Sequence, residues 1–158
     1  MALLLALLLQ AFPSTNQTAW MRLESFRLTI GMSRMEAMES LKSWNPKEGK
    51  DRNEVVVDYA GDKGITLEFE NERLRSVRYE LYVLLPAARK AFEEERKHLL
   101  DTQGKPRIAT NDILVYDTGL PNIMVVVKDD PKSEQGKKGI GVLAVRYFDP
   151  RDSVPARR

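Results

Sequence analysis

Residues 65–81 read Ile65-Thr66-Leu67-Glu68-Phe69-Glu70-Asn71-Glu72-Arg73-Leu74-Arg75-Ser76-Val77-Arg78-Tyr79-Glu80-Leu81. Ile65, Leu67 and Phe69 alternate with Thr66, Glu68 and Glu70; Val77, Tyr79 and Leu81 alternate with Arg78 and Glu80. A period of two marks a strand with one buried and one wet face. Asn71-Glu72 between the two runs fits a tight hairpin connection. Upstream, Val55, Val57 and Tyr59 form a third run, joined through the turn Gly61-Asp62-Lys63-Gly64. The three runs predict an antiparallel meander with charge on its open face.

A helix precedes the meander. Ser33 is a good N-cap, Glu36 three residues on completes a capping box, and Met32 can fold over the first turn. Ala37, Met38, Leu41 and Trp44 give one apolar stripe, and Asn45-Pro46 ends the helix, because a residue before proline avoids the helical region. Lys47 to Asn53 reads as a polar loop. After the meander, Pro86 opens a second helix, with Ala88, Phe92 and Leu99 on one stripe. Gly104 and Pro106 stop it. Further strands are expected at 113–116, 123–127 and 141–148. The run Ile123-Met124-Val125-Val126-Val127 is apolar throughout, as in a central strand covered on both faces. A charged hairpin loop runs from Asp129 to Lys138, and residues 150–158 read as a flexible tail.

The two halves match. Tyr59, Ile65, Leu67, Phe69 and Val77-Arg78-Tyr79 have counterparts in Tyr116, Ile123, Val125, Val127 and Val145-Arg146-Tyr147. The expected fold class is α+β: two half-repeats of a helix and three strands, about 27–82 and 86–149, sharing one domain over 20–149. A half of this size is marginal alone.

The chain has 158 residues, 42% apolar and 30% charged, which is ordinary globular composition. Its 25 basic and 23 acidic side chains give a net charge of +2. Residues 20–82 carry 11 basic and 12 acidic groups, residues 83–158 carry 14 and 11. Neither half has the clustered cations that counterion release on nucleic acid requires. With no cysteine and one histidine, His98, thiolate chemistry and multi-histidine metal sites are excluded. Residues 2–9 are all Leu or Ala, far short of the ~20 apolar residues of a membrane span. Followed by Ala11, Pro13 and a polar stretch, they read as a signal-like segment over 1–19 that lacks a basic start. Export to the periplasm is expected, with a mature chain starting near residue 12 to 20. Asn16-Gln17-Thr18 matches a glycosylation sequon.

Ile30-Gly31-Met32-Ser33-Arg34-Met35-Glu36-Ala37-Met38 resembles the opening helix of the SmpA/OmlA outer-membrane-assembly lipoproteins and of the β-lactamase-inhibitory-protein-like superfamily, whose members carry such units in tandem. Residues 65–77 resemble that group's hairpin, with Glu72 in the usual glycine place. The stretch from Phe92 through Gly104-Lys105-Pro106 to Tyr147 is similar to the helix end and closing hairpin of many exported bacterial proteins. The resemblance implies small exported proteins that act by contact, scaffolding an assembly or blocking an enzyme. With no cysteine here, neither the lipid anchor nor the inhibitor's disulfides have a counterpart, and no functional residue is carried over.

No catalytic, cofactor or metal residue is expected. His98 lacks an indicated nucleophile or orienting carboxylate. Glu93-Glu94-Glu95 reads as a solvated helix face, and Asp129-Asp130 lacks the glycine and closing glutamate of a calcium loop. Glu68 and Glu70 are placed to pair with Arg73, Arg75 and Arg78 across the hairpin. The candidates for protein contact are Trp20, Phe26 and the Arg73/Arg75/Arg78 row, since aromatic groups and arginine anchor such contacts; Trp20 is also suited to plug the start of the fold. The first reading is a non-catalytic, protein-binding module of the cell envelope. The alternatives are a cytosolic adaptor of the secretion-chaperone kind and an unrecognised hydrolase with a deep pocket of titrating groups. The partner and the oligomeric state are not encoded in any motif.

Overall fold

In the computed structural model, residues 17–119 and 121–151 are described. The apolar run at 2–9, Asn16 of the sequon and most of the 150–158 tail lie outside them. Eight antiparallel strands form one sheet: β1 (Lys47–Glu48), β2 (Glu54–Ala60), β3 (Lys63–Glu70), β4 (Arg73–Leu84), β5 (Ile108–Ala109), β6 (Ile113–Tyr116), β7 (Asn122–Lys128) and β8 (Ile140–Phe148). The order is β1-β2-β3-β4-β8-β7-β6-β5, so the last strand enters the middle beside β4. Among the described residues three α-helices accompany it: α1 (Arg34–Leu41), α2 (Leu85–Gln103) and α3 (Glu134–Lys137), the last inside the charged loop. The mixed α+β class is as the sequence predicts. Among the described residues no helix is long and apolar enough to cross a membrane.

Local chemistry explains the elements. The Ser33 hydroxyl accepts from the Glu36 N–H at 3.2 Å, while a Glu36 carboxylate oxygen accepts from the Ser33 N–H at 2.8 Å. That satisfies two orphan donors of α1 reciprocally. Ser33→Ala should therefore cost about 1 kcal/mol in a urea melt. Asn71 and Glu72 both have positive φ, 50° and 59°, as a two-residue primed turn demands. A residue with a Cβ pays for that conformation, and Glu72→Gly would relieve it. At 141 glycine is required by contact: a Cβ there would stand 2.8 Å from Leu85 Cδ1 and 3.3 Å from Ala88 Cβ, because the first turn of α2 rests on β8.

One face of the sheet carries the core. Val55, Val57, Ile65, Leu67, Val77, Tyr79, Leu81, Val125, Leu143 and Val145 meet Ala37 and Leu41 of α1 and Ala88, Phe92 and Leu99 of α2 in a single buried cluster. The segment before α1, which includes a short 3-10 turn (Leu23–Phe26), closes the same face with Met21, Phe26 and Leu28. Trp20 stacks on Tyr59 with ring centroids 5.4 Å apart, and Phe26 meets Trp44 at 5.1 Å and Tyr59 at 5.3 Å. Offset and edge-on rings of this kind add stabilisation beyond buried area.

Three expectations are corrected. Glu95 is not on a solvated face: its side chain is 0% exposed and its Oε2 accepts from Arg22 Nη2 at 2.9 Å. One hundred degrees per residue places it on the Ala88–Phe92–Leu99 stripe. The apolar run 123–127 is not covered on both faces: Ile123, Val125 and Val127 are buried in the core, but Met124 and Val126 lie half-buried on the other side. Lys47–Asn53 is not wholly loop, since β1 pairs with β2 there.

Stability should fall at both ends of the pH range. Hydrogen bonds from Arg151, with Arg75 nearby, hold the Asp149 carboxyl well below the usual carboxylate range, and the Ser33 bonds lower Glu36. A lowered folded pKa contributes stability above the unfolded value, near 4, that is lost as pH falls through the folded one. Burial pushes the Tyr147 and Tyr82 hydroxyls up to about 12, and Tyr79 higher still. A raised folded pKa contributes stability that is full below the unfolded value, near 10, and lost as pH rises. Melting temperature should stay level between about pH 5 and 9 and drop outside that window, by differential scanning fluorimetry.

Candidate functional site

Among the described residues, α1, α2 and the N-terminal segment pack on one face, and the other is built from strand residues, of which Thr66, Val115 and Ala144 are buried and Met124 and Val126 half-buried. Its register gives one row across eight strands: Lys47, Val56, Thr66, Arg78, Arg146, Met124, Val115 and Ile108 are successive cross-strand partners. A second row runs Asp58, Gly64, Glu80, Ala144, Val126 and Ile113. The two rows divide the face chemically. Over β2–β4 it is polar or charged apart from Val56; over β8–β5 it is aliphatic apart from Arg146.

The aliphatic half is continuous. Ile108, Ile113, Val115, Met124 and Val126 line a trough of about 1170 Å³, rimmed by Arg89, Arg107, Asp112, Lys128, Asp129 and Asp130. The rim charges are largely balanced by neighbours: Arg89 Nη1 stands 3.0 Å from Asp112 Oδ1, and Arg107 Nε 2.6 Å from Asp117 Oδ2. Towards the end of β4, Tyr82 lies beside Val142 and Leu84 beside Ile140. Leu84 is 63% exposed. A large apolar patch with a polar rim is the usual form of an interaction site.

Between the halves, Arg78 and Arg146 face each other across β4 and β8. Like charges directly opposite destabilise a sheet. Each has its own carboxylate: Glu68 Oε2 lies 2.9 Å from Arg146 Nη2, and Glu80 Oε1 3.4 Å from Arg78 Nε. Arg146 also lies over the Phe148 ring at 5.4 Å. The centre of the open face is thus an Arg–Glu quartet that is nearly neutral.

The contact candidates read from sequence do not come together. Arg75 is the extra residue of a β-bulge, where Glu68 pairs with Ser76 but Phe69 with Leu74, and Arg73, Arg75 and Arg78 are each engaged by a different neighbour. Arg75 is held by Glu70 at 3.2 Å and Asp149 at 3.1 Å. Arg73 donates to the Gly31 carbonyl at 3.4 Å. Of the three, Arg78 is the one in the cross-strand row with Thr66 and Arg146. Of the two glutamates expected to pair with that row, Glu70 does, through Arg75, whereas Glu68 goes to Arg146. Phe26 is 2% exposed in the core and offers nothing to a partner. Trp20 is half-buried on the core face, against Tyr59 and Tyr79, with its Nε1 donating to the Gln17 carbonyl at 2.9 Å. His98 is half-buried on α2.

No family model matches the chain, and no curated protein or solved structure matches it either. The open face therefore carries the functional argument by its own chemistry. Its trough has an aliphatic floor and a balanced rim, and among the described residues no three His, Cys, Asp or Glu side chains are grouped to hold a metal ion. What such a surface can do is remove apolar area from water, worth about 25 cal/mol per Å² buried.

Proposed function

We propose that the chain is an exported, non-catalytic binding module of the bacterial cell envelope, acting by protein contact through the open face of its sheet. The observation that carries this reading is the half-covered sheet: one face packed by helices, the other aliphatic from β8 to β5 with an Arg–Glu quartet at its margin. The apolar leader at 2–9 supplies the export part of the proposal, and the SmpA/OmlA-like and inhibitor-like resemblance supplies its contact mode.

The same proposal includes two half-repeats, about 27–82 and 86–149. Two observations support it. The strand order runs 1-2-3-4 and then 8-7-6-5, as two joined four-stranded units would. Around the Arg78–Arg146 pair, Val77 partners Tyr147 and Tyr79 partners Val145, so the two matching tripeptides meet head to tail about a local two-fold axis.

The test is fractionation with affinity capture in the organism that encodes the chain. The tagged full-length protein should be found in the envelope fraction and retain a defined envelope protein after cross-linking. Recovery solely in the cytosol, with a cytosolic secretion component bound, would favour the adaptor alternative.

A further inference from the structure

The segment from Gln17 to Leu28 has no repeating apolar pattern, yet it is part of the core. Thr18 and Met21 are fully buried. The Thr18 carbonyl accepts from the Met21 N–H at 2.9 Å and from Arg22 Nη1 at 3.3 Å. The Gln17 carbonyl accepts the Trp20 indole N–H. Two buried tyrosines from the central strands reach the same stretch: Tyr147 donates to the Met21 carbonyl at 2.9 Å and Tyr79 to the Arg22 carbonyl at 3.0 Å. Arg22 then closes on Glu95 of α2. A segment tied at this many points cannot be shed without leaving buried groups unpaired.

We infer that removal of the apolar leader cuts the chain between Leu9 and Gln17, so that the mature protein keeps Gln17; this rests on the export reading above. The cut is hydrolysis by an endopeptidase. Water adds its oxygen to the scissile carbonyl carbon, the C–N bond breaks, the leader leaves with a carboxylate, and the new first residue gains an α-ammonium. Small residues suited to the cut stand at Ala11 and at Ala19. Hydrolysis after Ala19 would strip the carbonyls of Gln17 and Thr18 from Trp20, Met21 and Arg22. It would also set a positive charge on Trp20, whose ring already has Lys63 Nζ at 5.8 Å. Hydrolysis after Ala11 leaves every one of these contacts in place.

The intact mass of the protein recovered from its native envelope tests this. The first residue should fall between Gln10 and Gln17. A first residue at Thr18 or later would overturn the boundary while leaving export standing. Retention of Met1 would remove the export reading instead, and a second measurement then decides the boundary. The purified full chain, digested under native conditions with a protease of broad specificity, should show no cut within 17–28 until the whole domain is lost. Cutting there with the rest of the chain intact would overturn the inference.

Discussion

Arg22→Met should destabilise the domain by about 3–5 kcal/mol in a urea titration, because it leaves the Glu95 carboxylate buried without its cation. Glu95 is fully enclosed on α2, whereas the Arg22 side chain is 17% exposed. Among the described residues its other oxygen, Oε1, has no hydrogen-bond partner, nor does the buried Tyr116 hydroxyl. Unpaired buried polar atoms make the carboxylate depend more heavily on Arg22. Glu95→Leu removes the charge instead of stranding it, and the double variant Arg22→Met/Glu95→Leu should recover most of the loss. The coupling energy from the four-cornered cycle should exceed about 2 kcal/mol, as for groups in direct contact within one network. Additive losses would show that the pair does not anchor the N-terminal segment to α2.

The second large effect concerns binding. Val126→Glu should weaken capture of the envelope partner at least ~30-fold, the loss of about 2 kcal/mol expected when a central apolar contact is replaced by a charge that must be desolvated. Val126 lies in the trough between Ile113 and Ala144 and is only half-buried, so the fold should tolerate the carboxylate, with far-UV circular dichroism unchanged. Leu100→Glu is the matched control. Leu100 is 51% exposed on α2, an apolar residue on the helical side of the sheet. It should bind as the unaltered chain does. Equal loss from both would point to a general effect of added negative charge.

Much of the fold is legible because alternation and capping are local. The strands around 55–59, 65–69 and 77–81, the Ser33–Glu36 box and the Asn71-Glu72 turn all follow from residues within one turn or hairpin of each other. What is not legible depends on topology. Nothing in Met124 or Val126 says that their side of β7 is the less covered one; that follows from α1, α2 and the N-terminal segment packing on the side of Ile123, Val125 and Val127. The Arg73/Arg75/Arg78 row fails because Arg73 and Arg75 are engaged by Gly31 and Asp149, partners distant in sequence, and a period of two carries no mark of them or of the bulge at Arg75. Glu95 is the instructive miss: its helical position was on the apolar stripe, but a charge flanked by two other glutamates reads as solvated until its partner, 73 residues away, is known. The segment before α1 escapes notice because irregular backbone has no period, although Trp20, Met21 and Phe26 are its signal.

The central claim is that the sheet's open aliphatic face is the working surface. A photo-reactive residue placed at Met124, and separately at Leu100, in the full-length protein in its native cells tests it directly. Irradiation should join Met124 to another protein and leave Leu100 unjoined. Adducts from Leu100 alone, or from neither position, would contradict the account.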